Sequence, residues 1–239
     1  MNMGKRALIV GASGGIGRGI AGRLAADGWH ILAQGRRSMA LNETLEAVRQ
    51  AGGEGQTFEA ELDDMSQVAA LAAWAREAGP LQAVIWSAGG GRSVATGPEA
   101  IAEWERTLAT ALHAPMQLAA HTLASLQATQ GAYLFVCGMY AKMGVARMAA
   151  HCAARHGLEG FAKALFEEVR ESGVGVTLIH PGFVHSRLTA SDRLDPAKMI
   201  RVADIAETVA MALALSPQAC VTELTVRPQR SPYRPGGTG

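Results

Sequence analysis

The chain has few cysteines, almost no net charge and no long apolar run, and each absence excludes a class of protein. Its three cysteines are scattered without paired spacing, which argues against a disulfide framework or a zinc site and fits a reducing, cytoplasmic setting. A net charge of +1 gives no global electrostatic reason to expect nucleic acid or membrane partners. No apolar run approaches the ~18 residues that span a bilayer. At 239 residues, the chain is long enough for one α/β domain with a sizeable core.

The sequence leads us to expect neither a targeting segment nor a metal site. Residues 1–6 lead directly into an apolar run, so no signal peptide is expected before the fold, and a cytoplasmic location is expected. Several histidines occur without the carboxylate spacing typical of metal ligands, and no metal site is therefore expected. These histidines are His113, His121, His156, His180 and His185.

Strand-like apolar runs alternate with helical patterns along the whole chain. This alternation predicts an α/β fold, a single Rossmann-type doubly wound parallel sheet of about seven strands with helices on both faces. We expect strands near residues 7–10, 29–34, 56–60, 81–86, 133–136, 174–179 and 221–226. We expect helices near residues 18–25, 41–51, 65–78, 99–130, 146–172 and 202–215, with a kink or break at Pro115.

A glycine-rich loop follows the first predicted strand and opens the first predicted helix. Glycines in such a loop let the backbone turn tightly and approach a pyrophosphate closely, and the helix N-terminus points its N–H groups at that anion. The position of the loop in a strand–turn–helix unit near the start of the chain favours a dinucleotide site over a purely structural turn. The loop residues expected to contact a cofactor are Gly11, Ser13, Gly15, Ile16 and Gly17.

The end of the second predicted strand indicates which dinucleotide binds. An acidic residue there accepts hydrogen bonds from the ribose of NAD, whereas an arginine accommodates the extra phosphate of NADP. The strand ends in Gln34-Gly35-Arg36-Arg37, which contains no acid, and Arg36 lies 19 residues after Gly17. Because a guanidinium is a good partner for phosphate, the sequence predicts NADP(H).

The spacing Gly-x-x-x-Gly-x-Gly, with Ala12 and Ser13 inside it, resembles the short-chain dehydrogenase/reductase family, although that family usually has Thr where Val10 stands. The resemblance covers about residues 5–226 and implies further cofactor contacts. Glu61 and Leu62 take the place of the family's Asp-Val pair beside the adenine. The other positions that the resemblance assigns to the cofactor are Ala88 and Gly89 after the fourth strand, and Pro181, Gly182 and Ser186 after the sixth.

The family's four catalytic positions are all altered in this chain. In the family, Tyr is the acid or base, Lys lowers its pKa and binds the ribose, Ser holds the carbonyl oxygen, and Asn holds a relay water. Aligning Tyr-x-x-x-Lys with the segment around Gly157-Leu158 puts His151 at the Tyr position and Arg155 at the Lys position. The Ser position becomes Gly138 and the Asn position becomes Ala111.

The two polar replacements still offer chemistry. His151 and Arg155 are four residues apart, so they share a helix face. A histidine can accept or donate a proton near neutral pH, and a nearby guanidinium lowers its pKa and favours neutral imidazole. Arg155 can hold ribose hydroxyls but does not titrate. The nearby candidates for replacing the lost donors are Ser87, Thr110, His113 and Tyr140.

Three functional hypotheses remain open at this point. The first is an atypical NADP(H)-dependent oxidoreductase, transferring hydride on a carbonyl or alcohol substrate, with His151 as acid/base. The second is a catalytically silent nucleotide-binding protein that acts as a partner, a regulator or a scaffold. The third is a non-redox enzyme, such as a cyclase, isomerase or dehydratase, on the same fold.

Domain and partner expectations complete the sequence-based picture. Residues 1–226 are expected to form one domain, and residues 227–239 a Pro/Arg/Gly-rich tail that is either solvated or packed on a neighbouring subunit. The resemblance implies a small-molecule substrate and a homodimer or homotetramer formed through the helices near 99–130 and 146–172. Pairing with an active paralogue is the alternative. Residues 186–199 are the expected substrate lid.

Overall fold

In residues 4–186, 189 and 191–234, the part of the chain that the computed structural model describes, strands alternate with helices. The strands are β1 (Arg6–Val10), β2 (His30–Gly35), β3 (Gly55–Glu59), β4 (Ala83–Trp86), β5 (Ala132–Val136), β6 (Gly175–Pro181) and β7 (Glu223–Val226). The helices are α1 (Gly15–Ala26), α2 (Ser38–Gln50), α3 (Met65–Glu77), α4 (Ile101–Leu108), α5 (Ala114–Thr129), α6 (Ala149–Val169) and α7 (Val202–Leu213).

The strands form one parallel sheet in the order β3-β2-β1-β4-β5-β6-β7. The order reverses between β1 and β4, which pair through Ala7–Ala83 to Val10–Trp86. In doubly wound sheets, ligands bind outside the carboxyl ends of the strands at such a reversal. The expected doubly wound parallel sheet is therefore confirmed, and its topology places a cleft beside the glycine-rich loop.

Two apolar cores lie on opposite faces of the sheet. Side chains alternate between faces along a strand, so Leu8 and Val10 belong to one core while Ala7 and Ile9 belong to the other. The first core packs against α3, α5 and α6, and the second against α1, α2 and α7. The helices of both layers therefore hold the central strands rigidly, with the carboxyl ends free to carry a site.

The predicted long helix over 99–130 is interrupted before, rather than at, Pro115. A wide π-helical turn spans Ala109–His113, and Pro115 lies in the first turn of α5. Proline has no N–H to give to the carbonyl four residues earlier, which is that of Ala111, so the preceding turn widens. The interruption puts Ala111, the expected Asn position, inside the irregular turn.

The predicted helix over 146–172 begins three residues later than expected. Arg147 has a φ of +63°, which a right-handed helix does not accept, and α6 starts at Ala149. The carbonyl of Arg147 accepts a hydrogen bond from the N–H of Val94 at 2.9 Å. This bond fixes the start of α6 against the long connection that follows β4.

The described part of the C-terminal segment lies against residues 191–195 of the same chain. The N–H of Asp195 donates to the carbonyl of Pro232 at 2.7 Å, and Leu194 pairs with Tyr233 in an antiparallel bridge. The rings of Phe183 and Tyr233 meet edge to face at 5.5 Å. Residues 227–234 thus brace the segment expected to be the substrate lid, of which residues 187, 188 and 190 lie outside the described residues, as do 235–239 of the tail.

Candidate functional site

A cavity of about 810 Å³ opens at the carboxyl ends of β1, β2 and β4. Most of the residues expected to bind the cofactor line it. The expected residues in its lining are Gly11, Ser13, Gly15, Ile16, Gly17, Arg36, Glu61, Leu62, Ala88, Gly89 and Ser186. The topology thus brings together loops that are far apart in sequence, and the glycine-rich loop forms one wall of the cavity.

The glycines of the first loop are required by close backbone contacts. Gly11 has a φ of +83°, and a Cβ atom there would lie 2.7 Å from the nitrogen of Ala88. A Cβ atom at Gly17 would collide with the carbonyl oxygen of Gly11 and come within 2.8 Å of the Cα atom of Ala12. The loop therefore turns sharply, and α1 begins at Gly15 with no side-chain hydrogen bond capping it. Its first N–H groups are well suited to an anion at the cavity wall.

Gln34 ties the glycine-rich loop to two neighbouring strands. Its Oε1 accepts a hydrogen bond from the N–H of Gly11 at 3.0 Å, and its Nε2 donates to the carbonyl of Ala60 at 2.8 Å. The side chain is buried. Sequence reasoning did not assign Gln34 a role, although a polar residue in an apolar strand was a visible signal. Its amide fixes the loop in the position that the cavity needs.

Arginines supply positive charge at one end of the cavity. Arg36, predicted from the sequence, lines the cavity and is exposed to solvent, as is Arg37, which precedes α2. Arg18 also lines the cavity and forms an ion pair with Glu43 at 2.6 Å. Among the described residues, Arg36 and Arg37 form no ion pair with a carboxylate, so their guanidinium donors are available to a phosphate.

Pro181 and Gly182, expected to contact the cofactor, lie outside the cavity lining. The N–H of Gly182 donates to the carbonyl of Val226 at 2.8 Å, and a Cβ atom at Gly182 would lie 3.0 Å from Pro228. Pro181 and Gly182 thus join β6 to β7 and to the segment after β7. Their role in binding the cofactor stays a prediction.

His151 is buried on α6 next to Tyr140. The two rings meet edge to face with their centroids 4.7 Å apart, and 6% of His151 is exposed. Its Nδ1 has no hydrogen-bond partner among the described residues. Burial, and then the charge of Arg155, lower the pKa of His151 to about 4. The imidazole is therefore neutral at pH 7, as the sequence-based reasoning expected, but it does not line the cavity.

Arg155 lies one helical turn after His151 and is also buried, with 4% of the residue exposed. Its Nη2 donates to the carbonyl oxygens of Ala88, at 3.0 Å, and Gly89, and its Nη1 lies 3.4 Å from the carbonyl of Val136. The guanidinium is therefore occupied by backbone carbonyls at the ends of β4 and β5. The expectation that it holds ribose hydroxyls stays a prediction.

The positions expected for the family's Ser and Asn provide no side-chain donor. Gly138 has a φ of +74°, and a Cβ atom there would find only the carbonyl oxygen of Pro181, at 3.9 Å. Ala111 is fully buried. Of the four residues considered as replacements, Ser87 and Thr110 line the cavity. Ser87 donates its hydroxyl to the carbonyl of Val10 at 3.0 Å, which leaves Thr110 as the hydroxyl without such an intrachain bond among the described contacts.

A polar network that the sequence did not predict contacts the carbonyl of Gly138 through His180. Nδ1 of His180 lies 3.2 Å from the Gly138 carbonyl oxygen, and its Nε2 lies 3.7 Å from Glu223. Lys142 bridges Glu223 at 2.6 Å and Glu159 at 2.5 Å. Burial lowers the pKa of His180, which keeps its ring neutral and able to donate from Nδ1. The network holds the Gly138 peptide in its left-handed conformation.

The described residues contain no group of three or more His, Cys, Asp or Glu side chains placed to hold a metal ion. Among those residues, no helix is both long enough and apolar enough to cross a membrane.

Comparison with known proteins identifies the family. The family model for short chain dehydrogenases matches residues 5–197. A putative ketoacyl reductase of Streptomyces coelicolor is 31% identical over 191 residues, which cover 78% of this chain and 73% of that protein. A metagenomic short-chain oxidoreductase solved with NADP is 27% identical with a TM-score of 0.82, covering 95% of this chain and 98% of that one.

A second solved structure extends the comparison to ketoreductases. A variant of the actinorhodin polyketide ketoreductase with NADPH is 25% identical with a TM-score of 0.86, and the match covers 94% of this chain and 96% of that one. The expectation of NADP(H) agrees with the ligands of both solved relatives. Together with the parallel sheet and the glycine-rich cavity, these matches establish that the chain belongs to the short-chain dehydrogenase family of oxidoreductases.

Proposed function

We propose that the chain is an NADP(H)-dependent oxidoreductase acting on a carbonyl or alcohol substrate, with His151 as the acid/base. The observation that carries the proposal is the cavity itself, whose glycine-rich wall, uncapped α1 N-terminus and free Arg36 suit a phosphorylated dinucleotide. Relatives named as ketoacyl reductases support the substrate class.

The residues present fit NADP(H) at its phosphate groups. The N–H groups at the start of α1 face the cavity and suit the diphosphate, and Arg36 and Arg37 suit the additional phosphate of the adenosine ribose. Glu61 and Leu62 form the wall expected beside the adenine. When bound, this cofactor supplies or accepts a hydride.

His151 would move the proton that accompanies hydride transfer. As neutral imidazole it can take a proton from an alcohol at Nδ1, which has no other partner among the described residues. Carbonyl reduction requires the opposite transfer, and a pKa of about 4 makes the protonated donor scarce at neutral pH. The protonation state of the free ring does not set the direction of the reaction, which depends on the equilibrium between substrate and product and on the ratio of NADPH to NADP+.

A silent nucleotide-binding protein is the second candidate, and one observation favours it. His151 and Arg155 both lie outside the cavity lining, and Nη2 of Arg155 is already occupied by the carbonyls of Ala88 and Gly89. In this alternative the cavity binds NADP(H), but no proton or hydride is transferred.

Calorimetric titration with NADPH and with NADH tests the cofactor site. NADPH is expected to bind about tenfold or more tightly than NADH, and Arg36→Ala should remove most of this difference, because a charge-assisted hydrogen bond contributes roughly 1.5–3 kcal/mol. Arg49→Ala is a matched control on the exposed face of α2, where Arg49 lies 3.7 Å from Glu46. Failure of both nucleotides to bind would refute both candidates.

Turnover then separates the two candidates. A panel of carbonyl compounds with NADPH, and of alcohols with NADP+, is followed by absorbance of the reduced nicotinamide. Turnover that His151→Ala abolishes supports the proposal, whereas tight binding without turnover on the panel supports the silent protein. Turnover unchanged in His151→Ala would refute the role of His151.

A further inference from the structure

Arg155 is a buried cation without an acidic partner among the described carboxylates. Desolvation of its guanidinium is costly, and burial lowers the pKa of Arg155. Hydrogen bonds to the carbonyls of Ala88, Gly89 and Val136 offset that cost, while its Nε has no partner among the described residues. The favourable contacts of this charge are therefore concentrated on the backbone that follows β4.

Residues 87–92, which we term the covering segment, approach α6 very closely. A Cβ atom at Gly89 would lie 2.7 Å from Nη2 of Arg155, and one at Gly91 would lie 2.8 Å from Nδ1 of His151. Only the absence of a side chain permits either approach. The same segment contributes Gly90 and Arg92 to the cavity lining, so it faces the cavity on one side and α6 on the other.

We propose that Arg155 is a positioning residue that holds the covering segment over His151 and so separates the imidazole from the cavity. The segment is a cover that must move before His151 can touch a ligand. This inference deepens the proposed function, since it gives the condition under which His151 becomes a catalytic residue. The cover itself does not depend on turnover and holds equally for a silent nucleotide-binding protein.

The hydrogen bonds of Arg155 explain why the cover is stable yet able to open. When the covering segment moves, Arg155 loses the Ala88 and Gly89 acceptors and would leave a buried charge poorly satisfied. An occupant of the cavity with hydroxyl or phosphate oxygens can replace those acceptors. Opening is thus unfavourable in the free protein and becomes less so when such a ligand is present, which is a shift between two populations.

Hydrogen exchange of the full-length protein tests the cover without requiring a substrate. The amide of Ser87, at the start of the covering segment, and that of Val94, just after it, donate to the carbonyls of Val10 and Arg147 at 2.9 Å. In Arg155→Met, both amides are expected to exchange about tenfold or more faster than in the wild type, because local opening no longer breaks hydrogen bonds to the guanidinium. Arg170→Lys is the matched control, since Arg170 is an exposed arginine that contacts Glu167 at 3.2 Å at the far end of the same helix.

Gly91→Ala provides a second variant that leaves Arg155 in place. Its methyl group would collide with the His151 ring and push the covering segment away, raising exchange at the Ser87 and Val94 amides. Titration of His151 by NMR should show its pKa rising toward 6.5, since the ring gains solvent. Gly144→Ala is the control, because a Cβ atom at Gly144 meets no atom within 4 Å.

The outcomes separate this inference from the proposed function. Faster exchange in folded Arg155→Met, or faster exchange with a raised His151 pKa in Gly91→Ala, supports the cover, whether or not NADPH binds or any turnover is found. If Arg155→Met does not fold, Gly91→Ala decides alone. Exchange at the Ser87 and Val94 amides within about twofold of the wild type in the folded variants overturns the inference.

Discussion

The carbonyl oxygen of Ala88 accepts two hydrogen bonds at 3.0 Å, one from Nη2 of Arg155 and one from the indole Nε1 of Trp86. One donor comes from α6 and the other from the end of β4. This single oxygen therefore joins the helix that carries His151 to the strand beside the glycine-rich loop. Its two donors make the covering segment part of the core rather than a free loop.

Trp86→Phe should destabilise the protein by about 2 kcal/mol. The indole is fully buried, so the smaller ring leaves a space, and the Ala88 carbonyl loses one of its donors. Urea unfolding at pH 7 measures the change. The half-buried Trp74, which packs on Phe58 at 5.2 Å, supplies a control in Trp74→Phe, which should cost less. An equal decrease in the free energy of unfolding in both variants would contradict this account.

Stability should fall between pH 7 and pH 5, with His151 responsible for about 2 kcal/mol of that loss. The folded pKa of about 4 lies below the ordinary value of 6.5, so the unfolded chain binds the proton first. The stabilisation is present above pH 6.5 and is lost as the pH falls toward 4. His180 and His30, whose pKa values burial also lowers, contribute in the same direction.

The histidine contribution is isolated by comparing His151→Gln with the wild type in urea unfolding at pH 7, 6 and 5. The variant should show a shallower pH dependence over this window. His121→Gln, at an exposed position on α5, should keep the wild-type slope. A wild-type slope in His151→Gln would mean that the ring is not held neutral.

Gln34→Leu should cost about 2–3 kcal/mol and weaken NADPH binding. Leucine leaves the N–H of Gly11 and the carbonyl of Ala60 without their partner in a buried environment. Calorimetry and urea unfolding of the same variant measure both effects. Gln50→Leu, at an exposed position at the end of α2, is the control and should change neither quantity by much. If Gln34→Leu is stable and binds NADPH with full affinity, the glycine-rich loop keeps its conformation without the hydrogen bonds of Gln34.

The chain should form a homo-oligomer through α4, α5 and α6, as the family resemblance implies. Ile101 on α4 and Met116 on α5 are large apolar side chains with 51% and 38% of their surface exposed in the single chain. Light scattering during size-exclusion chromatography should give a mass that is a multiple of 25.0 kDa. Met116→Glu should lower that mass, whereas Met39→Glu, at an exposed position on α2, should not. A monomer in the wild type would refute this expectation.

Sequence patterns were sufficient for the local features of the fold and for most of the residues that line the cavity. The glycine spacing identified the loop, and the absence of an acid after β2 identified Arg36, because each depends on residues adjacent in sequence. The doubly wound parallel sheet followed from the alternation of apolar runs and helices. These are short-range signals, and the structure places their residues around one cavity.

The features that escaped prediction depend on contacts between distant segments. The pairing of Gln34 with Gly11 and Ala60 joins three strands, and the close approach of Gly91 to His151 joins a loop to a helix. The late start of α6 comes from Arg147, whose carbonyl pairs with Val94. Such features arise from tertiary packing, which no window of neighbouring residues contains.

Gly138→Ser, which restores the hydroxyl of the family, should destabilise the protein by about 1–2 kcal/mol rather than repair the site. The space is sufficient, but a φ of +74° is unfavourable for a residue with a Cβ atom. Urea unfolding measures the loss, with Gly144→Ser as a control at a position without close neighbours or a positive φ. Wild-type stability in Gly138→Ser would show that this turn relaxes freely.

The positive φ at Gly138 also bears on engineering. The hydroxyl that the family carries at this position cannot be introduced by one substitution without a loss of stability, since His180 holds the Gly138 carbonyl in its present direction. Directed evolution toward ordinary reductase chemistry would therefore have to change residues 138 and 180 together before a new side chain at position 138 could improve activity.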